Sequence, residues 1–205
     1  MSSILARYTA ELEAPLFGDV PLEEIIDAAP SGHTVKGMFF TRYVKDIGDA
    51  WPEVAKTLRE APNGGRYRSF AAYPLGDYLR IVGRAAEARF PGATREAFRL
   101  LARGEVEVFA ESTLGKVTLS LLESPASALT QFPRILGLFS HGFACSLEPS
   151  NDGAIVIRFP RYVGVIELTL GLLEGIVIAF DKRTSIAVER DTAGTVFYTV
   201  TWSGT

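Results

Sequence analysis

The sequence predicts an α+β fold: a helical N-terminal two-thirds followed by a ββαββ antiparallel sheet with a buried helix. Three observations carry this expectation. Apolar residues recur at helical spacing from Leu22 to Phe139. After Gly142 the pattern changes to strand period, with Ile155, Ile157 and Phe159 alternating with Val156 and Arg158. The longest apolar run of the chain, Val163 to Phe180, then separates two β-rich stretches. The predicted organisation is a lead-in over residues 1–34 and one α+β domain over 35–205. Within that domain the helical layer spans 35–140 and the ββαββ layer 142–202.

Taken in order, "GDVPLEEIIDAAP" reads as a short helix. Asp19 is its expected N-cap, Pro21 lies in its first turn, and Leu22, Ile25 and Ile26 form its apolar stripe. Val35, Met38, Phe39, Tyr43 and Ile47 fit a second helix, whose early part could also be extended. Gly48-Asp49 breaks the chain, and Asp49 can cap a short helix through Trp51, Val54, Ala55 and Leu58. A helix is predicted from Tyr73 to Phe90 and closed by Pro91-Gly92. Thr94 caps the next, which carries Ala97, Phe98, Leu101, Val108 and Phe109. Ser112-Thr113 and Ser124-Pro125 start two more, the last running to about Phe139. A strand is expected from near Phe143, pointing Phe143, Cys145 and Leu147 at the core. "PSNDG" is then a strong turn signal. At the C-terminal end, Ser185–Arg190 and Thr195–Trp202 are β-branched and aromatic runs joined by "DTAG".

The bulk composition excludes several classes. A net charge of −3 over 205 residues argues against broad phosphate-driven nucleic-acid binding. A single cysteine, Cys145, cannot form an intrachain disulfide. The N-terminus mixes Arg7, Glu11 and Glu13 into its apolar residues, unlike a signal peptide, so the cytoplasm is the expected compartment. Val163–Phe180 approaches the length of a membrane span but carries Glu167 and Glu174, each costing roughly 2.5–3.5 kcal/mol near a bilayer centre. A buried helix of a globular domain fits it better.

No catalytic motif is recognisable. There is no C-x-x-C, no G-x-S-x-G and no phosphate-binding G-x-x-x-x-G-K-[ST]. The paired carboxylates Glu23-Glu24 and Glu105/Glu107 lie on segments that read as solvated. So does the arginine-rich stretch with Arg66, Arg68, Arg80, Arg84 and Arg89, interleaved with Tyr67, Phe70, Tyr73 and Tyr78 as buried aromatics. His141 and Cys145, four apart in "LFSHGFACSL", are too few for a zinc site, and the second histidine, His33, is distant in sequence. Cys145 is expected to behave as a small hydrophobe and His141 as a helix-end residue. No metal site and no cofactor follow from the residues. A further candidate is a stripe on the apolar helix. Gly164, Glu167, Gly171, Glu174 and Gly175 fall on one helical face, which either lies on a neighbouring element or forms a ligand or partner face.

Several segments together carry a resemblance: "VKGMFF", "FAAYPLGDYLRIV", "FPGATREAFRLLARG", and the "GLLEG" helix followed by a hairpin ending in "VTW". The set resembles a myxobacterial paralogous family classed as a domain of unknown function, over roughly Val35 to Trp202. That resemblance implies no activity. The element order is also similar to the haem nitric-oxide-binding fold, whose smaller relatives are the vinyl-reductase-type ligand-binding domains. The haem domains have a proximal histidine ahead of a Tyr-x-Ser-x-Arg signature that clamps the propionates. On that likeness His141 is the candidate haem ligand, while the expected signature region reads "RFPRYVG". The expected function is a non-enzymatic signalling or regulatory domain. It would bind a small hydrophobic ligand or a protein partner, and a homodimer is one form such a partner takes. A haem-based gas sensor using His141 and a pure protein–protein interaction module are the alternatives.

Overall fold

The change of period after Gly142 corresponds to a change of layer. The computed structural model describes residues 20–204 except residue 93 and residues 149–152. Most of the predicted lead-in, the Asp19 cap and most of the "PSNDG" turn therefore lie outside the described residues. The helical layer begins with α1 (Leu22–Ala28), followed by β1 (Thr34–Lys36) and α2 (Gly37–Ile47). After a 3-10 turn come α3 (Trp51–Ala55), β2 (Ala72–Pro74), α4 (Leu75–Arg89), α5 (Thr94–Glu111), α6 (Thr113–Ser120) and α7 (Pro125–Phe139). Ser124 starts α7 with a capping box: its hydroxyl accepts from the Ser127 N–H, and the Ser127 hydroxyl accepts from the Ser124 N–H.

The strand-period region gives β3 (Ser140–His141), β4 (Ser146–Glu148), β5 (Ala154–Phe159), α8 (Ile166–Ile178), β6 (Arg183–Arg190) and β7 (Val196–Ser203). Strands β4 to β7 form one antiparallel sheet in the order β4-β5-β7-β6. Val196, Tyr198 and Val200 are fully buried, while Phe197, Thr199 and Thr201 on the other face are partly exposed, as the period of two requires. Asp191 fixes the β6–β7 turn by accepting from the N–H groups of Ala193 and Thr195, and Gly194 supplies the positive φ of 80°. Those N–H bonds, led by that of Thr195, hold the Asp191 carboxyl below its usual range.

Two corrections to the expected element boundaries follow. A small antiparallel sheet, β2-β1-β3, is set into the helical layer: Val35 pairs with Tyr73 on one side and with Ser140 on the other. Its strands have two or three residues each, too short for a period of two to show against the helical pattern. The residues around Cys145 are not a strand from Phe143, because pairing with β5 begins only at Ser146, opposite Arg158. Cys145 is half-buried against the sheet core, and that burial pushes its thiol up to about 12, which makes it unreactive.

Helix α8 lies between α5 and the four-stranded sheet. It contributes to two hydrophobic cores. Leu168 joins the helical core, which includes Phe39, Phe40, Leu79, Phe98, Leu101 and Phe139. Ile166, Leu170, Leu173 and Val177 join the sheet core with Leu129, Phe132, Ile157, Phe159 and Tyr198. Completely buried side chains such as Leu173 and Val177 contribute roughly 1.5–3 kcal/mol each. No helix among the described residues is long and apolar enough to cross a membrane.

Candidate functional site

Where the two cores meet, the packing leaves a cavity of about 160 Å³. Helices α4, α5, α7 and α8 supply most of its wall, with Phe39 from α2, Phe143 from the loop before β4, and Phe159 from the end of β5. A well-packed interior contains few voids larger than a water molecule. A cavity of this size compares with one that holds a benzene ring. The lining is dominated by Phe39, Leu79, Phe109, Phe132, Phe139 and Leu168.

A few polar groups interrupt that lining. Tyr162 donates to the Val165 carbonyl at 2.9 Å, and its hydroxyl lies 2.8 Å from the Thr169 hydroxyl. A second polar point is Glu105 of α5, only 5% exposed. The hydroxyls of Tyr43 and Tyr78, from α2 and α4, both donate to its Oε1. Burial pushes the Glu105 carboxyl up to about 7 against the opposing pull of those two hydrogen bonds and of Arg42. The Tyr43 and Tyr78 hydroxyls are themselves held well above the ordinary phenol range, first by burial and then by Glu105.

Glu105 corrects the reading of Glu105/Glu107 as a solvated pair; only Glu107 is exposed. The signal was present in the sequence. Phe98, Leu101, Glu105 and Phe109 are spaced by three, four and four, so the carboxylate sits on the apolar stripe of its own helix. Asp77 was similarly hidden within the arginine-rich stretch. It is completely buried and accepts from the N–H groups of Arg59 and Glu60 at 2.9 and 2.8 Å, which pins the loop after α3 onto α4. Of the interleaved aromatics, Tyr67 and Tyr78 are buried while Phe70 is exposed.

The predicted Gly/Glu stripe divides between two places. Gly164 is not on the helical face: it precedes α8, with a φ of 155°, and lines the cavity. The other four residues meet α5 of the same chain. A Cβ on Gly171 would collide with the Arg99 carbonyl oxygen, and one on Gly175 would lie 2.7 Å from a Val106 methyl. Close approach of the two helix backbones thus requires glycine at both positions. Glu174, 5% exposed, accepts from Arg99 Nε at 2.9 Å through each oxygen, from an Arg99 terminal nitrogen, and from Arg103 at 2.7 Å. Arg95 lies 3.4 Å from Glu167, whose carboxyl is raised mainly by burial.

His141 is exposed on β3, paired with Thr34, and it does not line the cavity. It borders a groove of about 480 Å³ beside Thr34, Lys36 and Gly137. His33 stacks edge-on against Phe143 at 5.2 Å and over Gly142. The described residues hold no cluster of three or more potential metal ligands.

The chain matches, over residues 28–203, the sequence profile of a family described as protein of unknown function (DUF2378). No curated protein matches it. Its fold is similar to that of solved H-NOX proteins. The Fe(II) unliganded H-NOX from K. algicida shares 15% identity, with 83% of this chain and 97% of that one covered and a TM-score of 0.63. The S. oneidensis H-NOX in the Fe(II)NO ligation state shares 14% identity over 82% and 99%, with a TM-score of 0.63. A mutant of the T. Tengcongensis H-NOX shares 17% over 82% and 98%, with a TM-score of 0.61. At such identities the likeness is one of fold, and it agrees with the similarity read from the element order.

The residues present do not fit a haem in the cavity. No His, Cys or Met is among its lining residues, and His141 lies on the surface outside it.

Proposed function

We propose a ligand-binding sensor function from the cavity itself, on the premise that the chain belongs to the DUF2378 family, whose description supplies no activity. The ligand is a small, mainly apolar molecule held between the helical layer and the sheet. One observation carries the reading: a void of about 160 Å³ at the seam of two otherwise tightly packed cores, lined largely by aromatic and aliphatic side chains. A void costs stability in proportion to its size, so one retained at the junction of two layers fits a ligand's place better than a packing fault. Occupancy would be felt by α8, which belongs to both cores and touches the cavity through Leu168, Thr169, Leu172 and Ile176. A second copy of the chain or another protein would then read the shift.

Native mass spectrometry of freshly purified protein tests this together with a toluene titration followed by thermal unfolding. A co-purifying small mass, or a toluene-dependent rise in Tm, supports the reading. Filling the space with Ala128→Leu should abolish the toluene response, and a rise that survives the substitution would place the ligand elsewhere. The same spectra count subunits. Protein produced with haem supplied should show no Soret band, with or without reductant.

A further inference from the structure

The polar end of the cavity narrows the ligand class. Glu105 is buried at the wall, and both tyrosine hydroxyls that reach it donate to the same oxygen, Oε1. Among the described residues nothing donates to Oε2, and no cation stands within ion-pair distance of either oxygen. Apart from the two tyrosines, the charged groups nearest Glu105 do not pair with it directly, although the Arg42 guanidinium packs against the neighbouring Gly104. Tyr43 and Arg42 come from α2, and Arg42 attracts the carboxylate without pairing with it. Tyr78 comes from α4. From α8 the cavity-side residues Leu168, Thr169 and Leu172 carry no charge, while Glu167 and Glu174 face Arg95, Arg99 and Arg103 along the rest of α5. Burying a carboxylate without a directly paired counter-charge is costly, and neutral hydroxyls answer its hydrogen bonding but not its charge. Glu174, on the same helix pair, shows the compensated alternative with two guanidinium groups.

We infer that the cavity takes a small apolar amine about one ring in size, its ammonium group paired with Glu105 and its body among Phe39, Phe132, Phe139 and Leu168. This rests on the cavity reading above and adds the head group to it. An ammonium supplies a counter-charge at pairing distance and donates to the second oxygen, whereas an alcohol supplies only a third neutral donor. The carboxyl's raised position means that pairing strengthens as pH rises through about 7.

The test compares benzylamine, benzyl alcohol and toluene by calorimetric titration of the full chain at about pH 5.5 and about pH 8. A charge-assisted hydrogen bond exceeds a neutral contact enough to predict that benzylamine binds about tenfold or more tighter than toluene at the higher pH. That ratio should collapse at the lower pH, where Glu105 is protonated. Glu105→Gln should remove the benzylamine advantage and retain toluene binding. Because the pH comparison uses the unmodified chain, the test stands even if that variant fails to fold. Toluene binding with no benzylamine advantage at either pH overturns the amine assignment and leaves the apolar cavity reading intact. Benzyl alcohol binding tighter than benzylamine overturns it in favour of a neutral donor. Binding of none of the three overturns both readings.

Discussion

Two glutamates of similar burial, Glu105 and Glu174, face opposite fates within one helix pair. Glu174 reaches from α8 into a fork of Arg99 and Arg103 on α5, and the hydrogen bonds it accepts raise the Arg99 guanidinium above its ordinary range. Glu105, further along α5, meets only tyrosine hydroxyls. The first is a clamp: its charge is answered by the fold, and its work is to hold two helices at the close spacing that Gly171 and Gly175 permit. The second is a carboxyl that burial inclines to keep its proton, attracted by Arg42 but not paired with it, beside an apolar space. The contrast teaches that burial alone does not mark a site. A buried carboxyl next to a cavity, without a directly paired counter-charge, is the stronger ground for seeking one.

The sharpest way to break the clamp is at Gly171. Gly171→Val forces a side chain into the Arg99 carbonyl and should cost about 3 kcal/mol or more, read as a fall in the urea midpoint. Glu174→Gln removes the charge from between two arginines and should cost about 2 kcal/mol at neutral pH by the same measurement. Glu105→Gln should separate the two carboxylates. The folded Glu105 carboxyl titrates near 7, against about 4.5 ordinarily. Its contribution to stability is therefore complete below about 4.5 and is lost as pH rises through about 7, because the folded chain holds that proton more tightly than the unfolded one. The substitution should flatten the decline in unfolding free energy between about pH 5 and pH 8. Tyr78→Phe removes one donor to Glu105 and should cost about 1 kcal/mol, more at high pH than at low. Smallest of all, His141→Ala should leave both Tm and toluene binding unchanged, since its side chain is outside the cavity.

Much of the fold was legible because its elements are long enough to show a period. α4, α5, α7, β6 and β7 each bury one face, α8 is a long apolar run buried nearly all round, and Pro91-Gly92, Ser124-Pro125 and Asp191 punctuate them by recognisable turn and cap chemistry. The β2-β1-β3 sheet was illegible because strands of two or three residues at the edges of helices leave no alternation to read. The stripe on α8 could be seen, but not its neighbour: glycine spacing says that something approaches closely, and only the structure says that it is the backbone of α5. Glu105 illustrates the remaining gap. A carboxylate on an apolar stripe is visible in one dimension, yet its Tyr43 and Tyr78 partners lie 62 and 27 residues away, and the cavity needs four helices to exist.

The strand order β4-β5-β7-β6 has a consequence for how the chain is made. β7 sits between β5 and β6, yet it is the last of the four strands to leave the ribosome, and both neighbours wait for it as open edges. Until Val196–Ser203 emerge, α8 has no completed sheet to lie on, and the side of it that faces away from α5 stays uncovered. Nascent chains paused before Val196 should therefore be the species most prone to aggregate and to engage chaperones. Completion of the sheet would then be a single step that follows the synthesis of every other element described.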